Sequence, residues 1–323
     1  MPRSACRPDK RTLAAGLSSI LGEKVTVLAR EPHAYWSTHP AEVVTCRPGG
    51  GTALRLLCKY SGGVDSTAHG HRGGVAYEAE VYRRVLASAE SSSPHFYGTH
   101  IDPATGWIWL VLEYLDGCLR LQMASGNAAL RRAARWLGAF HAAQERPLGE
   151  LSHTFLARYD EKYYAGWARR ARRFARPLAG SVPWFAAVCD AAGEILEPLL
   201  GAPQTVIHGE FYPKNVLVRD GRVSPVDWES AALGPGEIDL AALTENWGER
   251  ISRACVVSYL RARGPGGDPA AIGRRLDAAR AYLCFRWLGE RPELTAQEGS
   301  RFYFETLRAS AARLSVLRAG AMP

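Results

Sequence analysis

The stretch from Val206 to Trp228, VIHGEFYPKNVLVRDGRVSPVDW, is the part of this 323-residue chain whose reading settles the rest. It reads as strand, polar loop, strand, tight turn, strand. The turn is Arg219-Asp220-Gly221-Arg222, and an Asp-Gly pair between apolar runs is a strong hairpin signal. The loop carries His208, Glu210 and Asn215, and the last strand is expected to end on Asp227. A carboxylate, an amide five residues on and a second carboxylate beyond a hairpin form a working chemical set. Such a set orients a hydroxyl and holds Mg2+ against a nucleoside triphosphate. Phosphoryl transfer requires this kind of arrangement, because its catalysis is mostly positioning and charge neutralisation.

Upstream, Lys24 to Tyr60 has a β pattern, with strands expected at Val25–Leu28, Ala41–Cys46 and Ala53–Tyr60 and a turn at Gly49-Gly50-Gly51. An opening helix is expected at Thr12–Leu21, and Ser61 to Gly74 reads as a glycine-rich loop. Tyr77 to Ala89 has helical spacing, with Ala79, Tyr82, Val85 and Leu86 on one side. Two more strands, Phe96–Thr99 and Trp107–Glu113, flank the turn Asp102–Gly106. Helices dominate afterwards: Ala128–Ala143, a very basic Leu156–Ala175, Trp184–Leu200 ended by Gly201-Ala202-Pro203, and a helical region from Leu240 onward. The pattern gives a small β lobe, residues 1–114, and a helical lobe, residues 115–323, joined near the sequence EYLDG.

Three blocks at fixed order resemble the aminoglycoside phosphotransferase family, within the wider choline- and protein-kinase-like group. The family's H-G-D-x-x-x-x-N is matched by His208-Gly209-Glu210 and Asn215. Its I-D-W/F-E is matched by Val226-Asp227-Trp228-Glu229, and its G-D-P-x-x-D-L-A by Gly234-Pro235-Gly236-Glu237-Ile238-Asp239-Leu240-Ala241. The resemblance implies an α+β, two-lobed protein-kinase-like fold, with a small antiparallel nucleotide-binding sheet and a mainly helical catalytic lobe. The departure is Glu210, where the family usually has Asp; the side chain is one methylene longer.

The resemblance also assigns roles. Glu210 accepts or orients the substrate hydroxyl's proton. Asn215 and Asp227 are the Mg2+ ligands, which suits a cation that wants few, hard oxygen donors from protein. His208 and Asp239 brace the loop, and Lys214 either touches a phosphate or is solvated. Lys59, at a strand end, binds nucleotide phosphates and is held by Glu78, with Glu80 the rival two residues on. Ser37 or Thr38, in a glycine-free segment between the first two strands, contacts phosphate, unless Tyr35 and Trp36 close over the substrate. The base of ATP or GTP sits on backbone groups of Glu113 and Leu115.

Bulk properties narrow the classes. Seven scattered cysteines without C-x-x-C pairs argue against a disulfide framework or zinc site and fit a reducing cytoplasm. No apolar run reaches membrane-spanning length, and the basic N-terminus lacks the apolar core of a signal peptide. The net charge of +8 comes without any recognition-helix, finger or RNA-sheet signature, so no nucleic-acid partner is expected. Twelve positions from Asp227 to Asp239 leave little room for a peptide-binding activation loop, which turns the reading from protein kinase to small-molecule kinase.

The acceptor is less legible. Residues 158–176 hold seven basic side chains against two acidic, and residues 251–323 hold twelve against six. A polycationic aminoglycoside is best met by carboxylates, so a neutral or weakly charged acceptor is expected. The leading reading is an ATP- or GTP-dependent O-phosphotransferase acting on an antibiotic-like small molecule and conferring resistance. A metabolic sugar or amino-alcohol kinase of the same fold and a nucleotide-binding pseudoenzyme are the alternatives.

Overall fold

The structure is a computed structural model describing residues 7–34, 39–61, 68–87, 92–124, 126–145, 154–264, 269–296 and 299–314. The chain divides into two compact units. The first comprises residues 1–119 and 217–230, and the second comprises 120–216 and 231–323.

In the first unit, runs rich in β-branched and apolar residues build a five-stranded antiparallel sheet. Helix α1 (Lys10–Leu21) precedes β1 (Val25–Pro32), β2 (Ala41–Pro48) and β3 (Leu54–Tyr60). Helix α2 (Gly74–Val81) then leads to β4 (Phe96–Ile101) and β5 (Ile108–Glu113), and the strand order is β1-β2-β3-β5-β4. Asp9 starts α1 by accepting the Thr12 amide at 2.8 Å, and Gly22, at φ 73°, ends it. Leu13 and Leu17 from α1 pack on Val27, Val44, Leu56, Cys58, Tyr60 and Trp109 from the sheet. Each fully buried leucine contributes about 1.5–3 kcal/mol. Because Leu56, Cys58 and Tyr60 face α1, Lys59 must point to the opposite face of β3. That parity, not a loop, delivers the lysine to its partner.

Helix α2 is shorter than its periodicity predicts. After Val81 the chain widens into one π-helical turn, Tyr82–Leu86. The buried set Ala79, Tyr82, Val85 and Leu86 still shares the inward side.

The chain passes between units at β6 (Leu119–Arg120) and continues into α3 (Asn127–Gln144), β7 (Ala157–Arg158) and α4 (Glu161–Phe174). The predicted helix from Leu156 therefore begins late. Residues 157–158 pair with a later strand, and Asp160 caps α4 by accepting the Tyr163 amide at 2.8 Å. The predicted helix Trp184–Leu200 is two helices, α5 (Phe185–Asp190) and α6 (Ala192–Leu200), separated at Ala191. Strand β8 (Gln204–Ile207) leads into the loop that bears His208, Glu210 and Asn215. The hairpin β9 (Val216–Arg219) and β10 (Arg222–Pro225) follows, with Asp220 and Gly221 both at positive φ, as a type I′ turn demands.

The third strand of the decisive stretch stops at Pro225, two residues before Asp227, because Asp227 takes φ 70° and leaves the extended region. Strand β11 (Ala232–Pro235), unmarked in the sequence reading, pairs antiparallel with β8 and parallel with β7. Its run Ala-Leu-Gly-Pro is too short to carry a strand period. The helices α7 (Glu237–Leu243), α8 (Glu249–Arg263), α9 (Pro269–Glu290), α10 (Pro292–Thr295) and α11 (Ser300–Arg313) complete the second unit, the first of them opening three residues before Leu240. Among the described residues no helix is long and apolar enough to cross a membrane, and the six described cysteines are free.

Candidate active site

The expected site residues fall into two constellations, one in each unit. In the first unit Lys59 is 6% exposed and sits between two carboxylates. Its Nζ donates to Glu78 Oε2 at 2.7 Å and to Asp227 Oδ1 at 2.6 Å. Glu78 also accepts the Trp228 amide through Oε1 at 3.1 Å, so one glutamate fixes both the lysine and the segment bearing Asp227. Glu80 points away and pairs with Arg83 on its own helix. Glu229 adds a further carboxylate, 3.3 Å from His39 and 3.5 Å from Arg72, while its carbonyl accepts the Gly73 amide at 2.8 Å.

Burial alone would discharge Lys59. Asp227, Glu78 and Glu229 outweigh it and hold the ammonium well above the usual lysine range. Burial pushes the Glu78 carboxyl up, and Lys59 opposes that rise.

In the second unit the loop after β8 is held from behind. The carboxylate of Asp239, on α7, accepts the amides of His208 at 2.6 Å and Gly209 at 2.9 Å. Its Oδ2 also lies 3.2 Å from His141 Nε2, and Tyr259 Oη sits 3.0 Å from His141 Nδ1. Burial lowers the His141 pKa, so the ring is a neutral hydrogen-bonding spacer. Gly209 at φ 80° makes the bend, and the Glu210 amide meets His208 Nδ1 at 3.3 Å. Asn215 Nδ2 donates to the Glu210 carbonyl at 3.0 Å, which fixes Oδ1 as the amide's remaining acceptor. Gly236, just before α7, has no room for a side chain: a Cβ there would lie within 2.5 Å of Arg263, Tyr259 and His141.

The Glu210 carboxylate is 5% exposed and accepts Arg286 Nη1 at 3.1 Å. Arg286 stands 76 residues away on α9, in no motif, and no linear signal marks it. Glu245, after α7, also escaped the sequence reading. Its carboxyl is pushed up to about 6 by burial, against the pull of Arg286 and Lys214. It lines a cavity of about 770 Å³ with Trp247, Arg253, Asp277, Arg280 and Phe302. Trp109, Trp167 and Trp228 are fully buried, whereas Trp107, Trp184, Trp247 and Trp287 are half-buried.

Of the remaining expectations, Ser37, Thr38, Tyr35 and Trp36 lie outside the described residues. The Glu113 amide donates to the His95 carbonyl at 2.8 Å.

Known proteins align with this arrangement. A glucosamine kinase from Streptacidiphilus jiangxiensis is 28% identical over 200 residues, which are 55% of this chain and 42% of that enzyme. The chain thus matches about two fifths of that relative's length. Among solved structures, a choline kinase from Streptococcus pneumoniae superposes with TM-score 0.62 at 14% identity, covering 95% of this chain and 99% of that one. The GDP complex of wild-type aminoglycoside 2′-phosphotransferase-IIIa superposes with TM-score 0.67 at 13% identity, covering 95% and 99%. At these identities the structures establish the kinase-like fold. A profile of the phosphotransferase enzyme family (APH) matches residues 67–274 and runs through Glu78, Glu210, Asn215, Asp227 and Asp239 alike. By that match, which takes in well over half of its length, the chain belongs to the phosphotransferase enzyme family.

Proposed function

We propose that the protein transfers the γ-phosphate of ATP or GTP to a hydroxyl of a neutral or singly charged, sugar-containing small molecule. The observation that carries this reading is the Lys59–Glu78–Asp227 cluster, a buried ammonium held charged between two carboxylates. An ion so fixed meets nucleotide phosphates with little further loss of entropy.

Asp227 and Asn215 offer the carboxylate and amide oxygens that Mg2+ prefers. The excess of carboxylates around Lys59 leaves negative charge for a cation to offset. Bound with the nucleotide, Mg2+ supplies neutralisation of the phosphate charge. The chain's own groups do the rest. Lys59 holds the phosphates. Glu210 orients the acceptor hydroxyl and takes its proton as the acceptor oxygen bonds to the γ-phosphorus and the nucleoside diphosphate leaves. Asp239, His141 and His208 keep the loop in place. Backbone groups around Glu113 and Leu115 receive the base.

The 770 Å³ cavity is our candidate for acceptor binding. Its charges are balanced: Arg253 pairs with Glu249, and Asp277 with Arg280 and Arg313. A carboxylate-rich surface for a polycation is not what these residues build, which supports a neutral or singly charged acceptor. The sugar-kinase relative favours a free amino sugar, and a glycosylated antibiotic, with resistance as the outcome, is the second reading.

The test is Mg-nucleotide-dependent transfer to both acceptor classes by the native chain and by Asp227→Asn. Asparagine tolerates the left-handed backbone of this position. The substitution should lower kcat/KM by on the order of 100-fold or more with an unchanged circular-dichroism spectrum. Near-native transfer by Asp227→Asn would refute the proposed mechanism.

A further inference from the structure

Glu210 differs from an aspartate by one more rotatable bond, so something must choose among its rotamers. One side chain that touches it is Arg286, itself 2% exposed. Arg286 Nη1 donates to Glu210 Oε1 at 3.1 Å, and Nη2 donates to the Tyr212 hydroxyl at 2.7 Å. The Tyr212 amide in turn donates to the Glu210 carbonyl at 2.6 Å. The guanidinium fork thus closes a ring over two loop side chains that the backbone already ties together.

We propose that Arg286 is a positioning residue for the transfer: from α9 it fixes the carboxylate of Glu210 and the phenol of Tyr212 in a single arrangement facing the acceptor. The proposal rests on the phosphotransfer reading above.

A buried ion pair of this kind could serve folding alone. The surroundings argue for more. Glu290, one turn on along α9, lies 3.6 Å from Arg286 Nη1 and already supplies a counter-charge. Glu210 is therefore not needed to neutralise the arginine, yet the guanidinium stands 3.1 Å from its carboxylate, closer than it stands to Glu290. Charged and phenolic groups from several elements lie around the guanidinium. Tyr212 and Glu210 come from the loop, and Glu245, which Lys214 also acts on, comes from the segment after α7. Tyr282 and Glu290 lie on α9 itself, Tyr159 and Tyr163 come from the α4 side, and Tyr303 from α11. Burial pushes all five phenols up, so none of them titrates near neutrality. Burial opposes the charge of Arg286 too, but its neighbours hold it well above the usual range, so it stays a cation.

The test uses the full chain and steady-state phosphate transfer, with the fold checked by circular dichroism. In Arg286→Met kcat should fall by on the order of 100-fold, while the nucleotide KM should stay within about twofold. Arg286→Lys, which keeps charge but not the fork, should restore only part of kcat; it also serves if the methionine variant does not fold. A kcat within about twofold of the native value in Arg286→Met, or a nucleotide KM that rises as far as kcat falls in both variants, would overturn the proposal while leaving phosphotransfer intact. Should the native chain phosphorylate no acceptor, it is the functional reading that falls, and the proposal falls with it.

Discussion

Lys59 and Glu245 show how burial acts in opposite senses on an ammonium and on a carboxyl. Lys59 keeps its charge because neighbouring carboxylates outweigh its desolvation. Its folded pKa is raised, so its stabilising contribution is complete below the usual lysine value and is lost only as pH rises through the elevated one. No loss is expected from it between pH 6 and 9. Glu245 is also raised, to about 6, but for a carboxyl this means a proton held too long. The folded state binds that proton more tightly than the unfolded chain, so this group's contribution to stability declines as pH rises from about 4.5 to 6. If the cavity binds the acceptor, an amine-bearing acceptor should show a falling KM as pH rises through about 6, while an uncharged acceptor changes little. Glu245→Gln should remove the difference. A pH-independent KM for the amine in the native chain would take Glu245 out of the acceptor site.

At the scale of elements, close packing at Gly236 holds the brace together. Gly236→Ala puts a methyl against Arg263, Tyr259 and His141, three members of the chain that leads to Asp239. Overpacking of this kind costs about 1–3 kcal/mol, measurable as a lower urea midpoint. An unchanged midpoint would mean that the brace gives way freely. The elements also explain what the sequence disclosed. The strands of the first unit were legible because β-branched and apolar runs are set off by glycine and proline turns, and the alternation inherent in a strand sent Lys59 and Tyr60 to opposite faces of β3. The loop was legible because its chemistry is compressed into His208–Asn215. Strand β7 was hidden because two residues cannot display a period, and its partner β11 is four residues long. Arg286 was hidden because its meaning is tertiary: one arginine among many on a basic helical region, distinguished only by what it touches.

Across the whole molecule, charge and family membership point the same way. The net charge of +8 is spread over helices whose arginines are repeatedly matched locally, as with Glu249–Arg253 and Glu305–Arg301. The cavity in the second unit is balanced by the same device, so overall basicity does not translate into a demand for an anionic partner. The phosphotransferase family match takes in Glu78, the loop from His208 to Asn215 and the Asp227 segment together, while Lys59 lies ahead of it. The most direct measurement is transfer of labelled γ-phosphate from Mg-ATP and Mg-GTP to a mixed panel of amino sugars, neutral sugars, nucleosides and glycosylated antibiotics, with Lys59→Ala alongside. The account predicts a labelled acceptor that is neutral or singly charged, and its loss in the variant. Nucleotide that binds tightly yet labels no acceptor, or labelling that persists in Lys59→Ala, would contradict it.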